Sequence, residues 1–161
     1  MSVDSISRSG PTRLLVAIAA GGLVAGTLDI LYAIVSLGMR GRSPQWVLQS
    51  VASGLLGSGA FDGGWASASL GLIAHFVIAI GAAAVFALAA FRFDVPQKHW
   101  IASGLLFGVG VYLVMNFVVL PLSAVPFKIS YTWSVLAQGF VSHALLIGLP
   151  ISAAVRRFAL T

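Results

Sequence analysis

The sequence predicts an all-α integral membrane protein with four transmembrane helices and one amphipathic helix between the first two. Two observations lead to this prediction. Of the 161 residues, 59% are hydrophobic and only 8% are charged, whereas soluble domains carry about 25% charged residues. The apolar residues also form four runs, each close to the length of about 20 residues that crosses the hydrocarbon layer of a bilayer.

Polar segments separate the four runs and set the expected helix boundaries. Residues 1–13 are polar and are expected to form a cytoplasmic tail, and residues 14–161 are expected to form a single transmembrane domain. Pro121 should end the third helix and Pro150 should bend the fourth, because proline lacks the N–H that a helix interior needs. The predicted transmembrane helices cover residues 14–37, 67–91, 100–120 and 132–155.

A shorter amphipathic helix is expected over residues 44–57. Ser43 and Pro44 suit the N-cap and the first position of a helix. The segment is too short and too polar to cross a bilayer, so an interfacial or re-entrant position is expected. Its apolar residues share one face and its polar residues lie mostly elsewhere: Val47, Leu48, Val51, Leu55 and Leu56 against Gln45, Gln49, Ser50 and Ser53.

The basic residues predict the orientation of the helices. Lys and Arg are more abundant in cytoplasmic than in external loops of membrane proteins. With both termini in the cytoplasm, six basic residues lie inside and three outside, which favours this topology. The inner six are Arg8, Arg13, Arg92, Lys98, Arg156 and Arg157, and the outer three are Arg40, Arg42 and Lys128.

Four polar residues interrupt the apolar runs, namely Asp29, His75, Asn116 and His143. An ionisable side chain in the middle of a bilayer costs about 2.5–3.5 kcal/mol on insertion scales. Counted at about 1.5 Å per residue, all four fall in the outer half of the bilayer or at its centre. They are therefore expected at similar depths.

The same residues are also expected to face one another. Residues three or four apart share a helix face, and small residues mark the packing faces of membrane helices. Each of the four polar residues shares its face with such small residues. The predicted neighbours are Gly22, Gly26 and Ala33 for Asp29, Gly71 and Ala79 for His75, Gly104, Gly108 and Tyr112 for Asn116, and Gly139 for His143, with Tyr32 and Tyr112 as further members of the cluster.

Three interpretations of this predicted cluster are open. It could be a hydrogen-bonded core that holds the helices together, since interhelical polar contacts are common in membranes. It could handle protons or ions, since Asp and His chains mark such paths. It could also bind a metal through His75, His143 and Asp29, since two histidines and a carboxylate form a known ligand set.

The remaining patterns narrow the class of function. No Gly-x-Ser-x-Gly elbow is present, so an enzyme is not expected, and the sequence does not identify whether a cofactor binds. The basic residues are scattered between apolar runs, a pattern that does not suggest nucleic-acid binding.

The first hypothesis is a small membrane protein that handles protons, ions or a small solute. The alternative is a non-catalytic accessory or assembly subunit of a larger membrane complex. The expected partners are the lipid bilayer and a homo-oligomer or larger complex.

A series of motifs runs through the C-terminal two-thirds of the chain: His75-Phe76-Val-Ile-Ala79, Trp100-x-x-x-Gly-Leu-Leu-x-Gly108, Pro121-Leu-Ser-Ala-Val-Pro126, Gly139-x-x-x-His143 and Arg156-Arg157. In these motifs the chain resembles the YagU-like small uncharacterised inner-membrane proteins of bacteria. The resemblance implies a location in the bacterial cytoplasmic (inner) membrane and adds to the proton-handling hypothesis. Asp29 and residues 44–56 lie outside it, and it supplies no catalytic residues.

Overall fold

The computed structural model describes residues 10–92, 99–128 and 131–159, and these residues form helices without any β-strand. Four of the helices are long and apolar enough to cross a membrane, which confirms the predicted all-α architecture. Residues 1–9 of the predicted tail and Lys98 lie outside the described residues. The helices are α1 (Pro11–Gly38), α2 (Pro44–Leu56), α3 (Gly64–Arg92), α4 (Trp100–Leu122) and α5 (Trp133–Phe158), with a 3-10 turn at Gly57–Phe61.

Helix α1 packs between α3 and α5 through glycines on its two sides. A Cβ at Gly22 would lie 2.6 Å from the Cα of Ile80 on α3. On the other side, a Cβ at Gly21 would lie 3.3 Å from the Cα of Ile151 on α5. Small residues let membrane helices approach this closely, so the small-residue faces of α1 set its position in the bundle.

Helices α4 and α5 contact each other in steps of four residues along an antiparallel pair. The Ser152 hydroxyl donates a hydrogen bond of 2.6 Å to the Trp100 carbonyl. One turn further along α4, Gly104 lies against Gly148, and Gly108 lies against Ala144. The Tyr112 ring then packs against Phe140 at a centroid distance of 4.9 Å. Residues one turn apart on α4 therefore face a single stripe of α5.

A π-helical turn lets α4 continue past its predicted end. Residues Met115–Val119 form this turn, in which the N–H of Leu120 donates to the carbonyl of Met115, five residues back. Pro121 has no N–H to continue that register. The Asn116 carbonyl, which such an N–H would reach, instead accepts a 2.9 Å bond from the Tyr131 hydroxyl. The helix thus runs through Pro121 to Leu122 rather than ending before it.

Helix α5 contains the same local structure ahead of its own proline. Residues Ala144–Gly148 form a π-helical turn, and the N–H of Leu149 donates to the Ala144 carbonyl. Pro150 follows directly, as Pro121 follows Leu120 in α4. A wider turn before a proline reduces the clash of its ring with the preceding carbonyls.

Helix α2 buries a mixed face that includes Val47, Gln49, Ala52 and Ser53, and Gln49 lies against the start of α3. Gln49 is 5% exposed, whereas Leu55 is 66% exposed. The Gln49 amide nitrogen lies 3.1 Å from the Gly64 carbonyl and 3.2 Å from the Ser67 hydroxyl. The backbone N–H of Ala124 also donates to the Gly54 carbonyl at 3.0 Å. Helix α2 is therefore fastened both to α3 and to the connector that follows α4.

Replacing Gln49 by leucine should weaken the contact between α2 and the start of α3. The Gln49→Leu variant leaves buried acceptors without their donor, a loss of about 1–3 kcal/mol. We expect faster hydrogen exchange at the amides of residues 57–67. Gln45→Leu is the matched control, because within the described residues the half-buried Gln45 side chain makes no hydrogen bond. Equal exchange rates in the two variants would contradict the anchoring role.

The two halves of the bundle are packed differently. A continuous apolar core fills the half that holds the start of α1 and the ends of α3 and α5, where Ala17, Ala87, Ile151 and Val155 are completely buried. The other half, next to α2, contains a cavity instead. The polar residues of the apolar runs are found in this second half.

Candidate functional site

A cavity of about 670 Å³ lies between the long helices on the side of α2. Helix α3 supplies eight of the lining residues, α2 and α4 supply four each, and α1, α5 and the connector after α4 supply two each. The wall is mainly apolar. Its polar side chains are Asp29, His75, His143, Ser50 and Ser123.

Asp29 reaches the cavity from α1, one turn after the glycine that contacts α3. Gly26 permits that contact, because a Cβ there would lie 2.9 Å from the ring of Phe76. Asp29 follows three residues later on the same face and is half-buried. Among the described residues, no hydrogen-bond donor pairs with its carboxylate. The Asp29 oxygens are therefore open to whatever occupies the cavity.

His75 links α3 to α1. Its Nε2 lies 2.8 Å from the Gly26 carbonyl. A carbonyl can only accept, so Nε2 carries a hydrogen. The Nδ1 atom has no hydrogen-bond partner among the described residues, and in the neutral imidazole it is an acceptor. The bond fixes the tautomer and holds His75 beside the turn of α1 that carries Asp29.

His143 is positioned by its own helix and by α4. Its Nδ1 lies 3.1 Å from the Gly139 carbonyl, so Nδ1 carries the hydrogen and Nε2 is open. The ring packs edge-on against Tyr112 at a centroid distance of 5.1 Å. Asp29 and His75 both lie near enough to His143 to interact with it electrostatically.

The other three predicted members of the cluster do not line the cavity. The Asn116 amide donates to the Tyr112 carbonyl on its own helix at 2.9 Å. Tyr112 is buried against α5 and supports His143 rather than facing the cavity. Tyr32 is half-buried on α1, away from the cavity wall.

The placement of Asn116 has a local cause. The prediction counted four residues per step from Gly108 through Tyr112 to Asn116. The π-helical turn begins at Met115 and bonds each N–H five residues back. Counting by fours no longer follows one face across such a turn, so Asn116 leaves the predicted face.

Two serines in the cavity wall were not among the predicted site residues. The Ser50 hydroxyl donates to the Val47 carbonyl and the Ser123 hydroxyl to the Leu120 carbonyl, each at 2.7 Å. Both hydroxyl hydrogens are therefore used within the local backbone. Nothing in the sequence around Ser123 indicates that the connector folds back over α2, so this part of the wall could not be predicted.

The metal interpretation finds no support in this geometry. Across residues 10–92, 99–128 and 131–159, no three His, Cys, Asp or Glu side chains are grouped as the ligands of one metal ion would be. Asp29, His75 and His143 share a cavity but are not arranged as a ligand set.

Neither a protein-family model, nor a curated protein, nor a solved structure matches the chain. The YagU-like resemblance of the C-terminal two-thirds therefore stays a prediction, and the function must be argued from the cavity.

Proposed function

We propose that the chain is a small polytopic membrane protein that handles protons, ions or a small solute in the cavity lined by Asp29, His75 and His143. One observation carries the proposal. Three titratable side chains from three different helices line a single, mostly apolar cavity. Such a cavity with a few convergent polar groups is the usual form of a small-ligand site.

The surfaces of the long helices support insertion in a membrane. Large apolar side chains point outward from all four, including Leu15 at 65% exposure, Ile73 at 62%, Leu106 at 74% and Val141 at 58%. Water around so much apolar surface would be unfavourable, and lipid removes that cost. In that setting the three titratable groups lie inside a bilayer, where such groups mark proton and ion paths.

The histidines supply the chemistry of proton handling. Each holds one ring nitrogen in a bond to a glycine carbonyl and leaves the other nitrogen without a partner among the described residues. That second nitrogen can accept and release a proton without breaking the bond that orients the ring. Asp29 provides a carboxylate close to His143 that can balance the charge of an imidazolium.

Reconstitution in liposomes that contain a pH-sensitive dye tests the proposal. A proton gradient should dissipate faster with the wild-type protein than with empty liposomes, and Asp29→Asn should abolish the difference. Asn is nearly isosteric with Asp but cannot carry the negative charge. Asp62→Asn is the matched control, because Asp62 is exposed between the 3-10 turn and α3.

The outcomes separate the two functional hypotheses. Loss of flux in Asp29→Asn, with elution and unfolding temperature unchanged, would support the site. If wild-type protein carries no ion or solute flux and Asp29→Asn instead loses a co-purifying membrane protein, the accessory-subunit hypothesis replaces it.

A further inference from the structure

The free hydrogen-bonding positions of the cavity are all acceptors. His75 and His143 have donated their N–H groups to the carbonyls of Gly26 and Gly139. In their neutral forms each ring keeps one nitrogen lone pair. When it is ionised, the Asp29 carboxylate adds acceptor oxygens and no donor.

No donor in the wall is left to balance these acceptors. The hydroxyls of Ser50 and Ser123 bond to backbone carbonyls within their own segments. Among the described residues, no Lys or Arg side chain lines the cavity. A solute with only acceptor groups would therefore find no hydrogen bond from the protein, whereas an ammonium cation offers two or three N–H donors to these acceptors.

The rest of the wall suits an apolar body. Apart from the five polar side chains and two glycines, the lining is aliphatic or methionine. Its rim includes Leu55, Ile73 and Val77, which are 62–66% exposed on the outer surface of the bundle. An apolar molecule could reach the cavity sideways from the hydrocarbon layer without crossing a polar surface.

We infer that the cavity binds an amphipathic organic cation, a primary or secondary ammonium group on an apolar body. The ammonium group pairs with the Asp29 carboxylate, the open nitrogens of His75 and His143 are further acceptors in the same wall, and the apolar body packs against α3 and α4. This inference rests on the proposed function, since it names the substrate class of the same cavity. At about 670 Å³ the cavity has the volume of a small-ligand site.

The ammonium group could belong to a free amine or to the headgroup of phosphatidylethanolamine. The lipid also carries a phosphate, for which the described wall offers neither a cationic side chain nor a free donor. The geometry therefore favours the free amine, and the choice of lipid in the experiment separates the two sources.

Calorimetric titration of the full chain in phosphatidylcholine nanodiscs tests the inference, with empty nanodiscs as the blank. The probe is phenethylammonium, and the matched controls are the neutral phenethyl alcohol and the anionic hydrocinnamate. We expect saturable binding of the ammonium and affinities lower by roughly tenfold or more for both controls. Loss of a hydrogen bond to a charged group has an effect of this size.

Variants link this preference to the named residues. Asp29→Asn should weaken phenethylammonium binding roughly tenfold or more, whereas Asp29→Glu, which keeps the carboxylate, should retain the preference for the cation. Asp62→Asn should bind as the wild type does. Suppression of probe binding in phosphatidylethanolamine nanodiscs would keep the ammonium class and identify the lipid as its source.

Two results would overturn the inference in distinguishable ways. If the three probes bind alike while Asp29→Asn still abolishes proton flux, the proposed function survives and the ammonium class is wrong. If Asp29→Asn changes neither flux nor binding, both proposals fail.

Discussion

Gly148→Ala is expected to lower the free energy of unfolding by about 1–3 kcal/mol, the cost of forcing extra volume into a packed contact. A Cβ at Gly148 would collide with the backbone carbonyl of Gly104, and it would lie 2.8 Å from the backbone nitrogen of Gly108. These obstacles are backbone atoms, so no rotamer change can remove them. Helices α4 and α5 would have to separate along their whole stripe.

Gly110→Ala on α4 is the matched control for this experiment. It is the same substitution on a helix of the same pair, but a Cβ at Gly110 meets nothing within 4 Å. Alanine is preferred over glycine inside helices by roughly 0.5–1 kcal/mol, so this variant should be unchanged or more stable. Thermal unfolding of both variants in one detergent gives the comparison. Equal melting temperatures would show that α4 does not pack on α5 through Gly148.

Asp29→Leu is expected to stabilise the protein by about 1 kcal/mol, the lower end of the cost of a polar group that loses water without gaining a hydrogen bond, because Asp29 is only half-buried. Among the described residues the Asp29 carboxylate has no hydrogen-bond donor, although it is half-buried at the cavity wall. Leucine removes that cost and fills part of the cavity. A carboxylate that lowers the stability of the fold fits a functional role better than a structural one.

The opposite result would favour the structural interpretation of the polar cluster. If Asp29 held the helices together, Asp29→Leu would lower the unfolding temperature. Asp62→Leu serves as the control, because the same substitution at an exposed carboxylate should have little effect on unfolding. Unfolding should be followed in the same detergent for all three proteins.

The sequence was sufficient to predict the four long helices, because the polar segments that separate the apolar runs are visible in the chain itself. Each observed helix begins or ends within a few residues of its predicted limit. The observed limits differ from the predicted ones by three residues or fewer, and one helix passes the proline that was expected to end it. Helix α4 continues through Pro121, because the Tyr131 hydroxyl satisfies the carbonyl that the proline leaves without a donor.

The candidate site was predictable only where the helices are regular. Asp29 and His75 lie on helices without a π-helical turn, and His143 lies before the turn in α5. Counting by three and four residues predicts that these side chains face one another, which agrees with the cavity that all three line. Whether they form a functional site stays a prediction. Asn116 lies within such a turn. The burial of Gln49 on α2 depends on its contact with Gly64 and Ser67, which local sequence patterns do not encode.

The uneven packing of the two halves couples occupancy of the cavity to the stability of the whole bundle. A molecule that fills the space beside α2 binds the folded chain and has no counterpart site in the unfolded one. By mass action, an occupant at a hundredfold excess over its Kd adds about 2.7 kcal/mol to the free energy of unfolding. A rise in the melting temperature when a compound is added would therefore reveal that the compound binds the folded protein, even before its binding chemistry is known.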